Sequence, residues 1–247
     1  MKRKLFNQNL RMTLLAALCL ISFSFVSCSG DDDDEDDDDI TLIEDTSSDD
    51  ASDDEETTSS DTTYVNGYAA VDLGLSVKWA AYNIGADSPE DYGNYYAWGE
   101  TETKMEDSYA LSNSVTYGVE MGDIAGRAKY DAATANWGDS WRMPTQDECQ
   151  EIVENCAWEL TMLNDVSGYL VTGSTGYSIF LPATGYRYGS TRYDAGYVGY
   201  YWSSTPYSSE DDYAYCLYFD LYTDYSSFYV VDDLCRYFGV TVRPVTD

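Results

Sequence analysis

The chain has 247 residues, of which 45 are acidic and 13 basic, and it carries a formal net charge of −32 at pH 7 with no histidine. This charge excludes nucleic acid as a partner, because affinity for phosphate backbones depends on clustered Lys and Arg. The absence of histidine excludes catalytic Ser-His-Asp and Cys-His sites and the usual histidine-based zinc sites.

The N-terminal segment has the pattern of an export signal. A basic start leads into an apolar run over residues 12–26, and Cys28 follows almost directly. The run is shorter than the ~20 residues that a membrane-spanning helix needs, which disfavours a transmembrane anchor. The pattern resembles a bacterial lipoprotein signal peptide over residues 1–27, and this implies that Cys28 is acylated as the first mature residue.

An acidic, low-complexity segment follows the cysteine. Residues 31–39 are all acidic, and residues 28–63 consist mostly of Asp, Glu, Ser and Thr. Such a composition cannot offset its own ordering entropy, so a disordered linker is predicted here. Serine and aspartates just after the cysteine also resemble the signal that carries Bacteroidota lipoproteins to the outer face of the outer membrane. The resemblance implies anchoring in outer-membrane lipid through Cys28, with the protein facing the cell exterior.

Residues 64–247 are aromatic and glycine-rich, and they predict one α+β domain. Alternating apolar residues and Tyr, Val and Phe enrichment predict β-structure in several segments. These segments are residues 71–84, 168–181, 200–204, 213–221 and 238–245.

Two helices are predicted within this domain. Thr145 followed by Glu148 forms a capping box, and Cys149, Ile152 and Cys156 then recur at helical spacing. A second, shorter helix is predicted over residues 130–136, ending before a Trp-Gly pair.

Seven short motifs occur in the order of a known family. They are VDLGLSVKWA at 71–80, YAWGE at 96–100, SWRMPT at 140–145, FLPA at 180–183, GYR at 185–187, YWSST at 201–205 and VRPV at 242–245. This series closely resembles the Fibrobacter succinogenes major paralogous domain. That family is similar to C-type-lectin-like domains, which implies two helices packed on small antiparallel sheets, neighbouring termini, and a long irregular loop region that binds ligands.

The motif residues are expected to be structural. Tryptophans beside small residues favour core packing, and a buried Arg142 or Arg243 needs a partner such as Glu148 or Glu100. The residues concerned are Trp98, Glu100, Trp141, Arg142, Pro144, Trp202, Arg243 and Pro244.

No cofactor is predicted. Calcium-dependent sugar-binding lectins use Glu-Pro-Asn or Gln-Pro-Asp and Trp-Asn-Asp triplets, and this sequence contains none of these strings. Carboxylates are abundant, so Ca²⁺ binding stays open without a supporting motif. No metal site is therefore assigned.

The mature cysteines fall into two pairs. Cys149 and Cys156 lie ~10 Å apart along one helix, too far for a mutual bridge, and small core residues are the favoured interpretation. Cys216 and Cys235 lie in strand-like segments of a protein expected in an oxidising compartment, so they are a candidate disulfide.

Ligand contacts are predicted where tyrosines outnumber the needs of a core. Flat aromatic faces with hydroxyl and guanidinium donors suit sugar rings or protein partners, although half-exposed strand tyrosines would look the same. The candidates are Tyr186, Arg187, Tyr188, Arg192, Tyr193, Tyr197, Tyr200 and Tyr207.

Two functions from different classes follow from the sequence. The first is a non-catalytic surface lectin that binds carbohydrate or a glycoconjugate. The second is a protein-binding adhesin or a subunit of a surface complex. A carboxylate-dependent glycan-acting enzyme is a remote alternative, because no carboxylate pair is singled out by its spacing.

Overall fold

The computed structural model describes residues 63–105, 108–222 and 230–247. The predicted signal peptide, the acylated Cys28 and almost all of the predicted acidic linker lie outside these residues. The described part is an α+β fold of small antiparallel sheets and two α-helices.

The longer helix begins where its capping box predicts. It spans Gln146–Asn155 (α2), with Thr145 as N-cap. The Glu148 backbone N–H donates to Thr145 Oγ1 (3.2 Å), and the Thr145 N–H donates to a Glu148 carboxylate oxygen (2.8 Å). Cys149 and Ile152 face the core. The prediction of this helix is confirmed.

The shorter helix spans Ala132–Trp137 (α1), close to the predicted residues 130–136. Its N-cap is Asp131, whose carboxylate accepts from the N–H groups of Ala133 and Thr134. The helix ends at Gly138, whose φ of 92° lies in the region that favours glycine.

Twelve strands form four separate sheets within the described residues. Their orders are β1-β2-β3-β12, β4-β5-β6, β11-β10-β9 and the hairpin β7-β8. The strands are Thr63–Val65 (β1), Tyr68–Val71 (β2), Lys78–Ala80 (β3), Ala157–Leu163 (β4), Val166–Thr172 (β5), Ser178–Pro182 (β6), Tyr186–Tyr188 (β7), Thr191–Tyr193 (β8), Val198–Pro206 (β9), Tyr213–Asp220 (β10), Val230–Cys235 (β11) and Val245–Thr246 (β12). The first and last of them share one sheet.

Four of the predicted β-segments contain strands, and one does not form the predicted strand. Residues 238–245 make single bridges to Tyr96, Arg142, Arg187 and Tyr201, and only their last residue enters β12. This segment therefore runs between sheets, because its bridge partners come from four different parts of the chain. Sequence reasoning did not predict β1, β4, β7, β8 or β11.

The β9–β10 pair separates two hydrophobic cores. Alternate residues of a strand point to opposite faces. Trp202 and Cys216 belong to one core, whereas Tyr201, Leu217 and Phe219 belong to the other. The two faces of this central ladder are thus both buried, so both carry large apolar side chains.

The motif tryptophans lie in the interior, as their predicted packing role requires. Trp98, Trp141 and Trp202 are fully buried. Their indole N–H groups donate to backbone carbonyls of Ser203 (2.9 Å), Val65 (3.0 Å) and Tyr96 (2.8 Å) respectively. Each buried ring therefore has a partner for its polar edge.

The expected partner of Arg142 is confirmed, and the one expected for Arg243 is wrong. Arg142 makes a bidentate pair with Glu148, with N–O distances of 2.8 and 2.6 Å. Among the described residues, fully buried Arg243 contacts no carboxylate and donates instead to Asn83 Oδ1 and to backbone carbonyls. Glu100 accepts from Lys104 (2.9 Å). The acceptors of Arg243 come from two chain segments, residues 80–83 and Phe180.

The remaining motif positions contribute backbone oxygens. The Pro144 carbonyl accepts from the Ser204 N–H (2.7 Å), and the Pro244 carbonyl accepts from the Ala80 N–H (2.8 Å). Both prolines lie where no N–H of their own is needed, so their motifs fix loop conformation without leaving a donor unpaired.

The Arg142–Glu148 pair predicts a pH-dependent stability. Burial opposes ionisation of Glu148, but the Arg142 guanidinium and the Thr145 donors outweigh it and lower the Glu148 pKa from 4.5. A lowered folded pKa stabilises the fold above pH 4.5, and this stabilisation is lost as the pH falls through the folded value. We expect the difference in unfolding free energy between wild type and Glu148→Gln to shrink from pH 7 to pH 3.

Urea unfolding of both proteins by tryptophan fluorescence measures this difference. The comparison with Glu148→Gln is needed because many other carboxylates titrate in the same range. An equal difference at pH 7 and pH 3 would contradict the assigned role of the pair.

The proposed disulfide between Cys216 and Cys235 is wrong. In the β10–β11 ladder Cys216 lies opposite Asp232, and Cys235 lies opposite Tyr213. The two positions are an odd number of residues apart in register, so their side chains project from opposite faces of the sheet. No disulfide joins the cysteines in the described ranges, and Cys149 is a buried core residue as expected.

Candidate functional site

The candidate site is built on the β7–β8 hairpin. Tyr186 pairs with Tyr193, and Arg187 pairs with Arg192. Because side chains alternate along a strand, the tyrosines project from one face and the two arginines from the other. The turn between the strands includes Gly189, whose φ is 58°.

The arginine face of the hairpin packs on the body of the domain. The guanidinium of Arg187 lies 5.1 Å from the ring centre of Tyr95, and that of Arg192 lies 5.0 Å from the ring centre of Tyr92. These cation–π contacts use both arginines that the sequence nominated as ligand donors. Their main role in this geometry is to hold the hairpin.

The hairpin is also anchored through its backbone. Arg187 exchanges two hydrogen bonds with Gly239, at 2.7 and 3.0 Å. A Cβ at Gly239 would lie 2.6 Å from the Tyr109 ring, so glycine is required for this close approach. The Gly189 N–H donates to the Tyr109 carbonyl (2.9 Å). The hairpin is therefore held in place through β7 and through its turn.

The tyrosine face of the hairpin forms part of a continuous aromatic cluster. The Tyr186 ring stacks on Tyr193 (5.5 Å, 20°) and meets Tyr200 edge-on (5.6 Å, 85°). Phe238 bridges Tyr186 (5.0 Å) to Tyr188 (5.6 Å). We call this set the tyrosine cluster: Tyr186, Tyr188, Tyr193, Tyr200, Tyr218, Tyr237 and Phe238.

The cluster has an inner and an outer part. Tyr186 and Tyr200 pack against the core that contains Trp202. Tyr188 is 49% exposed and Tyr193 is 40% exposed. The outer rings thus present faces and hydroxyls to solvent on a rigid buried base.

Tyr197 and Tyr222 form a second exposed pair. Their rings stack at 4.5 Å with an interplanar angle of 10°. The Tyr222 N–H donates to Asp220 (2.7 Å), and the Tyr197 N–H donates to the Asp194 carbonyl (3.1 Å). Burial and, secondly, the charge of Asp220 raise the pKa of Asp194. Carboxylate acceptors therefore lie beside exposed aromatic rings.

The hydroxyls of the inner tyrosines stay protonated at neutral pH. Burial raises the pKa of Tyr186 to about 12, and the Asp194 charge adds to the shift. Burial also raises the pKa of Tyr200. Both phenols thus act as neutral hydrogen-bond groups.

Tyr207 does not belong with the other candidates. It packs against Tyr213 (6.4 Å) and Tyr215 (5.3 Å), just beyond the far end of β9 from Tyr200. Seven residues of extended chain separate it from Tyr200 by ~23 Å. Grouping it with Tyr200 by sequence distance was wrong.

Three members of the cluster were missed by sequence reasoning. Tyr218 lies directly opposite Tyr200 in the β9–β10 ladder, while Tyr237 and Phe238 follow β11. For Tyr218, the alternation within residues 213–221 was the one sequence feature that could have placed it on the same face as the cluster. Nothing local marked Tyr237 or Phe238, because their neighbours come from the distant hairpin.

Two further observations concern membrane and metal. Among the helices that the structure describes, none has the length and apolar character to cross a bilayer. In the same parts of the chain, no three His, Cys, Asp or Glu side chains come together in a way that could hold a metal ion.

This architecture is an α+β domain of small antiparallel sheets that carries an exposed aromatic hairpin. One family matches the chain over residues 146–245, and it is described as a domain of unknown function (DUF8237). The match begins with α2 and includes the hairpin and the tyrosine cluster. The comparisons with curated proteins and with solved structures found no match.

Proposed function

We propose that this chain is a bacterial surface lipoprotein whose domain recognises carbohydrate without catalysis. The observation that carries the proposal is the set of exposed rings on a rigid base, namely Tyr188 and Tyr193 on the β7–β8 hairpin. Pre-organised aromatic faces bind at low entropic cost, because the rings do not have to be ordered on binding.

The chemistry of the cluster supports a sugar ligand. A pyranose ring offers a C–H face that packs on an aromatic ring and hydroxyls that hydrogen-bond. Neutral phenol groups and the carboxylates of Asp194 and Asp220 supply partners for hydroxyls near Tyr197 and Tyr222. The net charge of −32 favours a neutral glycan over an anionic one.

The proposal includes the C-type-lectin-like fold and the family resemblance inferred from the motifs. Two helices, several small antiparallel sheets, and a first and last strand in one sheet support it. The proposed anchoring by acylated Cys28 and the outer-membrane location are supported by sequence alone. Calcium has no part in the proposed contact, because the lectin triplets are missing from the sequence.

Removing one outer ring tests the proposal. We expect Tyr188→Ala and Tyr193→Ala each to weaken binding of the full chain to a neutral polysaccharide by about tenfold, the effect of losing one aromatic stacking contact. Affinity electrophoresis against cellulose, xylan, mannan and starch derivatives, with calcium and again with chelator, measures this effect.

Tyr64→Ala is the matched control, since Tyr64 is a 69% exposed tyrosine on β1, away from the hairpin. Equal retardation of all three variants and the wild type would contradict a ligand contact at Tyr188 and Tyr193. Sensitivity to chelator would show a metal that the sequence does not predict.

A protein partner is the second candidate. The observation that favours it is the extent of exposed aromatic surface, which includes Tyr197 and Tyr222 beyond the hairpin, since tyrosine is enriched at protein interfaces. A polysaccharide panel without any binding by the folded full chain would favour this candidate. Cross-linking on the cell surface would then identify the adhesion partner or the neighbouring subunit.

A further inference from the structure

A cavity of about 280 Å³ lies at the C-terminal end of α1, formed by residues that the tyrosine cluster does not use. Its aromatic wall is Tyr68 from β2, whose ring stacks at 3.9 Å and 9° on the buried ring of Trp137 from α1. Trp141 meets Trp137 edge-on (5.2 Å, 82°). This aromatic wall is therefore fixed before any ligand arrives.

Two asparagine side chains line the cavity beside the aromatic wall. Asn136 uses its amide N–H groups on the carbonyls of Ala132 (2.8 Å) and Thr101 (3.0 Å). Among the described residues its Oδ1 has no hydrogen-bond donor. The side chain is thus held in place while its acceptor stays available.

Asn94 is positioned by a glycine. A Cβ at Gly85 would lie 2.3 Å from Asn94 Nδ2, and Gly85 has a φ of 76°. The backbone of Gly85 therefore allows the Asn94 amide to lie against it. The only hydrogen bond of that amide in the described residues is a long one to Tyr96 Oη (3.4 Å), so its capacity for a ligand is nearly intact.

The electrostatics of the cavity select a ligand class. Asp87 is an exposed carboxylate in the lining, and no Lys or Arg of the described residues lines the cavity. The polar groups are mainly acceptors, namely the Asp87 carboxylate and the side-chain oxygens of Asn94 and Asn136. Acceptors beside an aromatic wall suit a ligand that carries many hydroxyl donors and no negative charge.

We infer that this cavity is a separate subsite for one neutral sugar residue, with the sugar ring against Tyr68 and its hydroxyls on Asp87, Asn94 and Asn136. The choice of a sugar as the ligand rests on the proposed carbohydrate recognition. The location of the subsite does not depend on that proposal, because none of its residues belongs to the tyrosine cluster. It takes a single sugar unit, whereas the exposed hairpin presents an open platform.

The test uses methyl glycosides of glucose, galactose, mannose and N-acetylglucosamine, each titrated into the full chain. Saturation-transfer NMR and calorimetry measure binding, with methyl glucuronide as the anionic comparison. We expect millimolar binding of at least one neutral glycoside and none of the glucuronide. Asn94→Ala and Asp87→Ala should each weaken that binding by about tenfold or more, because each removes a hydrogen-bonding partner.

Asn155→Ala is the matched control, since Asn155 is an exposed asparagine at the end of α2. Circular dichroism establishes that each variant is folded. Failure of all neutral glycosides to bind the folded chain, or binding by both cavity variants as tight as that of the wild type, would overturn the assignment.

The two proposals fail separately. Polysaccharide binding that depends on Tyr188, without any glycoside binding, would contradict the cavity subsite and leave the proposed function in place. Glycoside binding that depends on Asn94, without any effect of Tyr188→Ala on polysaccharide binding, would support the cavity subsite and contradict binding at the hairpin.

Discussion

Replacing Arg243 with methionine is expected to lower the free energy of unfolding by about 4 kcal/mol or more. The guanidinium is fully buried and donates to Asn83 Oδ1 (2.7 Å) and to the carbonyls of Ala81 (2.7 Å) and Phe180 (2.8 Å). A methionine fills much of the space but leaves these acceptors unpaired in the interior. Burial already lowers the pKa of Arg243 to about 10, which indicates how completely water is excluded.

Chemical unfolding of the full chain, followed by tryptophan fluorescence, measures this loss. Arg127→Met is the matched control, since Arg127 is exposed and its side chain makes a long bond to the Asp123 carbonyl (3.4 Å) and a surface contact with the Tyr130 ring (5.0 Å). We expect the control to stay within about 0.5 kcal/mol of wild type. Arg243→Lys should also be destabilised, because an ammonium group lacks the planar fork that reaches several acceptors. If Arg243→Met and Arg243→Lys were both as stable as the control, this role of Arg243 would be contradicted.

Asp131→Ala is expected to lower the free energy of unfolding by about 3 kcal/mol or more. The buried carboxylate caps α1 by accepting from Ala133 (2.8 Å) and Thr134 (3.1 Å). It also accepts from the N–H groups of Gly126 (2.8 Å) and Met143 (3.0 Å), which belong to two other segments. Alanine would leave all of these donors without a partner.

The same unfolding measurement tests this prediction. Asp139→Ala is the control, because Asp139 is an exposed aspartate shortly after α1. Asp131→Asn should lose nearly as much stability as Asp131→Ala. One side of the asparagine side chain is an NH₂ group, which would face backbone N–H donors and could not accept from them. A loss below 1 kcal/mol for Asp131→Ala would mean that these donors find water or other acceptors.

Elements whose signals are local could be predicted. The start of α2 depends on Thr145 and Glu148, which lie three residues apart and satisfy each other's backbone. The same is true of the Arg142–Glu148 pair, because both residues lie in or beside one helix start. β-Structure within residues 168–181 follows from alternation, and the structure places parts of β5 and β6 there.

Elements whose partners are distant could not be predicted. Residues 238–245 have a strand-like composition, yet they link separate sheets instead of forming one strand. The partners of Arg243 could not be read from its neighbours, since its acceptors Asn83 and Phe180 lie far off in the chain. The cavity beside Trp137 combines β2, a loop and α1, so no stretch of sequence contains its pattern.

The candidate site was half predictable. Tyr186, Tyr188 and Tyr193 do lie together, because one hairpin carries them and period-two alternation places them on one face. Tyr207 does not join them, since an extended strand separates residues that are close in sequence. Tyr237 and Phe238 do join them, since backbone pairing between Arg187 and Gly239 brings a distant segment beside the hairpin.

The sequence by itself determined the excluded chemistry, the capped helix and the α+β class, because these depend on composition or on neighbours within a few residues. Only the tertiary structure decided which tyrosines share a surface, whether Cys216 and Cys235 face each other and where a cavity opens. Those properties depend on strand register and on the packing of segments far apart in the chain, and a one-residue change of register reverses every side chain of a strand.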